Sequence, residues 1–264
     1  MRTERDLHSL SRRRPDKLPY RASVLSIASL HTETLNIWSH LLGALWFGTS
    51  IVRFAVVHQG PLTRDAVGVS LYLVATALCF ASSTLYHVFA DHVHAWFWLR
   101  IDHVGIVCAI WATSVSFTLA SLECRQGERW TYTALVTAAA GLSLFLLARV
   151  QEHDARSRKD RISAHVAFGA VAAIPGLRCW YLHAQGQRVE LLEEFWSLVI
   201  GNGVGGGIYA THLLDKAIGR DLGLPDISHH IMHIIAVAGA WMYQQGLLAV
   251  YEARIAANRP WLCL

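Results

Sequence analysis

The chain has 264 residues, 53% of them hydrophobic and 16% charged. Soluble domains carry about 25% charged residues, so this composition excludes an ordinary soluble globular protein and a disordered one. The formal net charge of +4 is read as a membrane-orientation signal, because a basic tail beside an apolar span meets anionic lipid before nucleic acid.

In chain order, residues 1–36 form a polar, basic segment without the apolar core of a signal peptide, so no cleavage is expected. Within it Tyr20–Asn36 is semi-polar and suits a position along the membrane surface, with Thr32 or Thr34 capping the first helix and Glu33 near its positive end. Seven apolar runs follow: Ile37–Val57, Val67–Ala90, His103–Leu122, Trp130–Ala148, Ile162–Leu182, Phe195–Leu214 and His229–Tyr251. Each is continuous rather than alternating, which predicts helices, and each is about the length that spans a bilayer. Pro175 predicts a kink in the fifth. The glycines Gly201, Gly203, Gly205, Gly206 and Gly207 predict close helix packing in the sixth, since no strand precedes them to make a nucleotide-binding turn. The expected architecture is an all-α, integral-membrane seven-helix bundle over residues 37–251, with a short tail at 252–264. Of the 23 arginines and lysines, fifteen fall on the side shared by the N-terminus and the even loops and six on the other. The positive-inside rule then puts the N-terminus in the cytosol and the C-terminus outside. Cys79, Cys108 and Cys179 lie in spans as packing residues, whereas Cys124 and Cys263 fall on the outer side and could pair.

Polar side chains deep in apolar segments are costly and commonly functional. His87 closes the second run, and His229 and His233 open the seventh, four residues apart and so on one helix face. Asp102 is the first acidic residue at the start of the third run, and Ser83 stands one turn before His87. With alternating span directions all five share one depth, on the cytosolic side. Three imidazoles from two helices can supply three nitrogen ligands, and water in a fourth position would complete a zinc site of the catalytic kind. Singly, these residues have blander readings: a helix cap for Asp102, backbone bonding for Ser83, interfacial hydrogen bonding for each histidine. His230 points about 100° from His229 and is a poor ligand from the same helix. His40, His103, His165 and His212 read as structural or interfacial, with no spacing that forms a second cluster.

The blocks HTETLNIWSHLLG at His31–Gly43, SSTLYHVFADH at Ser82–His92, RIDHVGI at Arg100–Ile106 and SHHIMH at Ser228–His233 resemble the signature of the progestin and adipoQ receptor family, which includes adiponectin receptors and haemolysin III proteins. The resemblance runs from Tyr20 to Tyr251. It implies a seven-helix fold with a cytosolic N-terminus, a zinc ion on His87, His229 and His233, and Ser83 and Asp102 beside the metal water. The N-terminal region is shorter than the cytosolic domain of animal adiponectin receptors, and the loop THLLDKAIGRDLGLPD before the seventh run differs from theirs, so no particular hormone is carried over.

The expected function is a zinc-dependent, ceramidase-type lipid amide hydrolase within a receptor-like protein of the plasma membrane or an endomembrane. Its partners would be ceramide, a related sphingolipid or free fatty acid, with an extracellular ligand possible and no nucleic acid. The alternatives are a signalling receptor with a structural zinc, and a zinc or lipid homeostasis protein without catalysis. A G-protein-coupled receptor would place its N-terminus outside, against the charge bias. A retinal protein needs a lysine in the last span, and His229–Tyr251 has none.

Overall fold

A computed structural model describes residues 10, 12–58, 63–150, 155–219 and 224–257. These are helical, with no strand among them. After a short helix α1 (Tyr20–Ser26), the long helices are α2 (Thr34–Val57), α3 (Arg64–Val88), α4 (Ala95–Ser121), α5 (Gln126–Arg149), α6 (Ala155–Ala172), α7 (Ile174–Ala184), α8 (Leu192–Thr211) and α9 (Ile227–Ala256). A π-helical turn at Asp215–Gly219 lies between the last two. α6 and α7 are one rod broken at Ala173, with Pro175 in the first turn of α7. Proline lacks the N–H that would continue the ladder, so the expected kink is present where the residue dictates it.

Among the described residues six helices are long and apolar enough to cross a membrane, the α6–α7 rod being counted over Ser157–Ala184. The remaining long helix, α8, opens with Glu193 and Glu194, carries Asn202 and the glycine run, and is not among those six. The outer surface is apolar in the manner of a lipid-facing bundle: Leu42, Leu45, Val52, Leu78, Leu142, Val166, Trp180 and Ile200 are all exposed. Polar groups turn inward instead and bond between helices. Tyr72 donates to the Ala240 carbonyl at 2.7 Å, Ser114 donates to the Ala172 carbonyl at 2.7 Å, and the Ser116 and Tyr243 hydroxyls meet at 2.9 Å. Such bonds hold helices together where burial of apolar surface supplies no driving force.

α3 lies at the centre, packed most heavily on α4 and α2, while α9 packs on α8 and also touches α2 and α3. Of the five α8 glycines, Gly201 and Gly205, one turn apart, face Ile235 of α9; Gly203, Gly206 and Gly207 meet nothing within 4 Å. The packing expectation therefore holds for two of the five. A closer approach joins α3 and α4 at Gly105, where a Cβ would lie 2.4 Å from Ser82 Oγ and 3.0 Å from the Cys79 Cα. At the far end of the bundle Arg254 of α9 bonds Asp65 at 2.8 Å, Glu190 at 2.7 Å and the Ala120 carbonyl at 2.7 Å. Cys79, Cys108 and Cys179 carry free thiols. The pairing expected of Cys124 turns on Cys263, which lies outside the described residues.

Two local expectations are corrected. α4 begins at Ala95 rather than near His103, so Asp102 sits two turns inside the helix and caps nothing. Neither Thr32 nor Thr34 caps α2: Glu33 takes that position, and the Thr34 hydroxyl donates to the Ser29 carbonyl while accepting the His31 N–H.

Candidate metal centre

The last turn of α3 and the first turns of α9 meet at one end of the bundle. There His87, His229 and His233 converge, with one nitrogen of each lying within 4.8 Å of those of the others. His87 and His233 are each 2% exposed. The Nε2 atoms of His229 and His233 are 3.1 Å apart, close to the roughly 3.3 Å expected of two nitrogens on a tetrahedral zinc with bonds of about 2.0–2.1 Å.

The opposite nitrogens explain why the rings face one another. His87 Nδ1 meets Glu33 Oε2 at 2.8 Å, and His229 Nδ1 meets Asp226 Oδ2 at 3.0 Å. His233 Nδ1 makes a longer contact with Ser39 Oγ at 3.5 Å. A hydrogen bond at one ring nitrogen fixes the tautomer and leaves the other as a lone-pair donor, the usual outer arrangement around a metal-binding histidine. His87 Nε2 is buried with no hydrogen-bond partner. An orphaned buried nitrogen costs about 1–3 kcal/mol, and a cation held by the three rings would remove that cost. Together, the donor set, the burial and the orphaned atom fit a divalent ion that favours nitrogen.

Asp102 enters from α4. It is 8% exposed, and its carboxyl is within hydrogen-bonding reach of Ser83. Ser83, 3% exposed, lies one turn from His87 on α3. The missing side chain of Gly105 lets α3 and α4 approach closely enough for this pair to meet. All five residues singled out from the sequence thus stand together.

Other neighbours were not legible as site residues. Glu33 is the clearest: burial opposes its charge, but the hydrogen bond and charge of His87, a hydrogen bond from Asn36 and the charge of Arg14 outweigh it and hold the carboxyl down at about 2. Asp226 is likewise held below its usual range, with burial outweighed by its bond to His229. His40, read as structural, stacks on His233 with centroids 3.7 Å apart, and the Tyr209 ring lies 4.7 Å from that of His229. His103 and His165 also depart from the sequence expectation, since they form a pair of their own at 2.7 Å. Their separation of 62 residues hides that pairing from any spacing rule. His212 comes together with Asp215 and Asp226. His230 faces away, towards the Thr32 carbonyl at 3.3 Å, as its angle on the helix requires.

Residues 28–244 match the family described as haemolysin-III related. The chain is 22% identical over 246 residues to the adiponectin receptor protein of Drosophila melanogaster, covering 90% of this chain and 55% of that one. It is 24% identical over 242 residues to progestin and adipoQ receptor-like protein 1 of Caenorhabditis elegans, covering 89% and 55%. With progestin and adipoQ receptor family member 3 of Mus musculus it shares 26% identity over 249 residues, covering 90% and 79%. The chain thus spans about half the length of the first two relatives.

Proposed function

The chain belongs to the haemolysin-III related family of multi-pass membrane proteins, and on that premise we propose that it is a receptor-like protein with zinc-dependent lipid amide hydrolase activity of the ceramidase type. The observation that carries this reading is the convergence of three imidazoles, those of His87 and His233 buried and those of His87 and His229 backed by carboxylates, beside buried Ser83 of α3 and buried Asp102 of α4. The site lies on the cytosolic side in this reading, as the charge bias of the loops requires.

His87, His229 and His233 would hold the ion. When bound, zinc supplies a Lewis acid and lowers the pKa of water. The protein's own groups do the rest. Asp102 takes a proton from the attacking water and returns it to the amine nitrogen as the C–N bond breaks, giving fatty acid and a sphingoid amine. Ser83 orients the attacking water or offers its O–H to the negative charge that develops on the carbonyl oxygen. The acyl chains lie against the apolar flanks of the bundle and enter from the bilayer.

A second reading is favoured by the names of the relatives, which are called receptors: the same ion would be a staple between α3 and α9, with no turnover. Purified protein given ceramide separates the two. The hydrolase reading predicts fatty acid release that His87→Ala abolishes together with bound zinc, and that Asp102→Asn lowers by roughly 10²–10⁴-fold with zinc retained. Zinc-loaded protein that releases no fatty acid is the receptor outcome, and full turnover without metal would sink the mechanism.

A further inference from the structure

The segment ahead of α1 bears on this centre through one side chain. Arg14 is 8% exposed despite its charge. Its guanidinium donates from Nη2 to the His87 carbonyl at 2.8 Å and from Nη1 to the Val88 carbonyl at 3.0 Å, the two last residues of α3. Nη1 also reaches Ser26 Oγ at 3.2 Å, and Nε reaches Asp91 Oδ2 at 2.7 Å. The last carbonyls of a helix have no partner within it, and a cation there also meets the negative end of the helix dipole. Arg14 therefore caps α3 at the very residue whose ring enters the cluster. Two backbone bonds tie the same stretch down: Leu18 N–H to the Asp91 carbonyl at 2.9 Å, and Thr32 N–H to the Arg12 carbonyl at 3.1 Å. Thr32 in turn receives His230 of α9, and Glu33 beside it holds the His87 ring.

We infer that Arg14 is a positioning residue for the metal centre, and that the stretch from Arg12 to Leu18 is a strap belonging to the site rather than a tail whose charge only orients the protein. The inference rests on the zinc reading above. His87 is fixed at two points, its carbonyl by Arg14 and its Nδ1 by Glu33, so its Nε2 is aimed at the other two histidines by groups from outside α3. Arginine is required because its planar fork can serve two carbonyls, a hydroxyl and a carboxylate at once, whereas the lysine ammonium is a single point of charge.

The test measures zinc affinity of the full chain in detergent by competition with a chelator, and the visible spectrum of the cobalt-loaded protein, which reports the geometry of the ligands. Arg14→Gln is expected to weaken zinc roughly 10–100-fold, as loss of an outer partner of a metal ligand does, and to alter the cobalt bands. Arg14→Lys recovers part of the affinity, which keeps the comparison open should the glutamine variant fold poorly. Arg254→Gln, at the opposite end, lowers the thermal midpoint and leaves zinc affinity unchanged. Wild-type affinity and spectrum in Arg14→Gln, or equal weakening of zinc in Arg254→Gln, would overturn the positioning role while leaving the metal reading intact. Wild-type protein that binds no zinc overturns both.

Discussion

Each cluster histidine uses one nitrogen outward and keeps the other for the centre, and the two outward carboxylates come from stretches just ahead of helices: Glu33 before α2 and Asp226 before α9. Replacing Glu33 by Gln keeps the shape and hydrogen-bonding capacity but removes the charge that makes the His87 ring a stronger donor. The expected outcome is zinc affinity about 10-fold weaker, within the range for outer partners of metal ligands, with the helical content seen by circular dichroism unchanged. Unchanged affinity would mean that this carboxylate matters only to the fold. At this scale the meeting of the five residues was legible, because an intramembrane histidine, aspartate or serine is conspicuous against an apolar run. Glu33 was visible only as a dipole partner for its own helix, since nothing in a linear sequence says that its carboxylate turns to a ring 54 residues away. Arg14 was counted only for its charge, for the same reason.

Between elements, the site depends on α3 and α4 approaching closely. Gly105→Ala would put a methyl group 3.0 Å from the Cys79 Cα, a backbone atom that cannot rotate away. The expected cost is about 1–3 kcal/mol, read as a lower thermal midpoint, together with reduced activity as Ser83 and Asp102 are pushed apart. Gly203→Ala, which meets open space, is expected to leave the midpoint within experimental error. The apolar runs located the helices but not their first residues. The start of α4 at Ala95 extends the helix through Trp96, Trp98 and Arg100, aromatic and basic residues that an apolar-run criterion passes over although they suit an interface. The glycine run shows the converse: five glycines promise packing, but only the two spaced one turn apart share the face that α9 covers.

At the scale of the whole molecule, the long-range side-chain contacts inside the bundle are ionic at one end and made by clustered histidines at the other. Arg254 gathers Asp65, Glu123 and Glu190 at the end away from the histidines, while Arg14, Glu33 and Asp226 gather the strap and the helix ends around them. α8 decides the topology. Its 20 residues make a rod of about 30 Å, enough to cross the hydrocarbon core, although with its glutamates, asparagine and glycines it is not among the six helices apolar enough to span. If α8 crosses, the two termini lie on opposite faces. An N-terminal tag should then be reached from the cytosol and a C-terminal tag from outside, whereas tags on one face would show that α8 does not span. Composition and charge made the membrane class legible from the outset. The count of spans was less so, because a polar-faced helix that packs on a neighbour does not need the hydropathy of one that faces lipid.

The central claim is that His87, His229 and His233 hold zinc, and the direct measurement is the metal content of purified protein, wild type beside His233→Ala. The account predicts about one zinc per wild-type chain and none above background in the variant, with both chains equally helical. A wild type that purifies folded and takes up no zinc when it is supplied would contradict it.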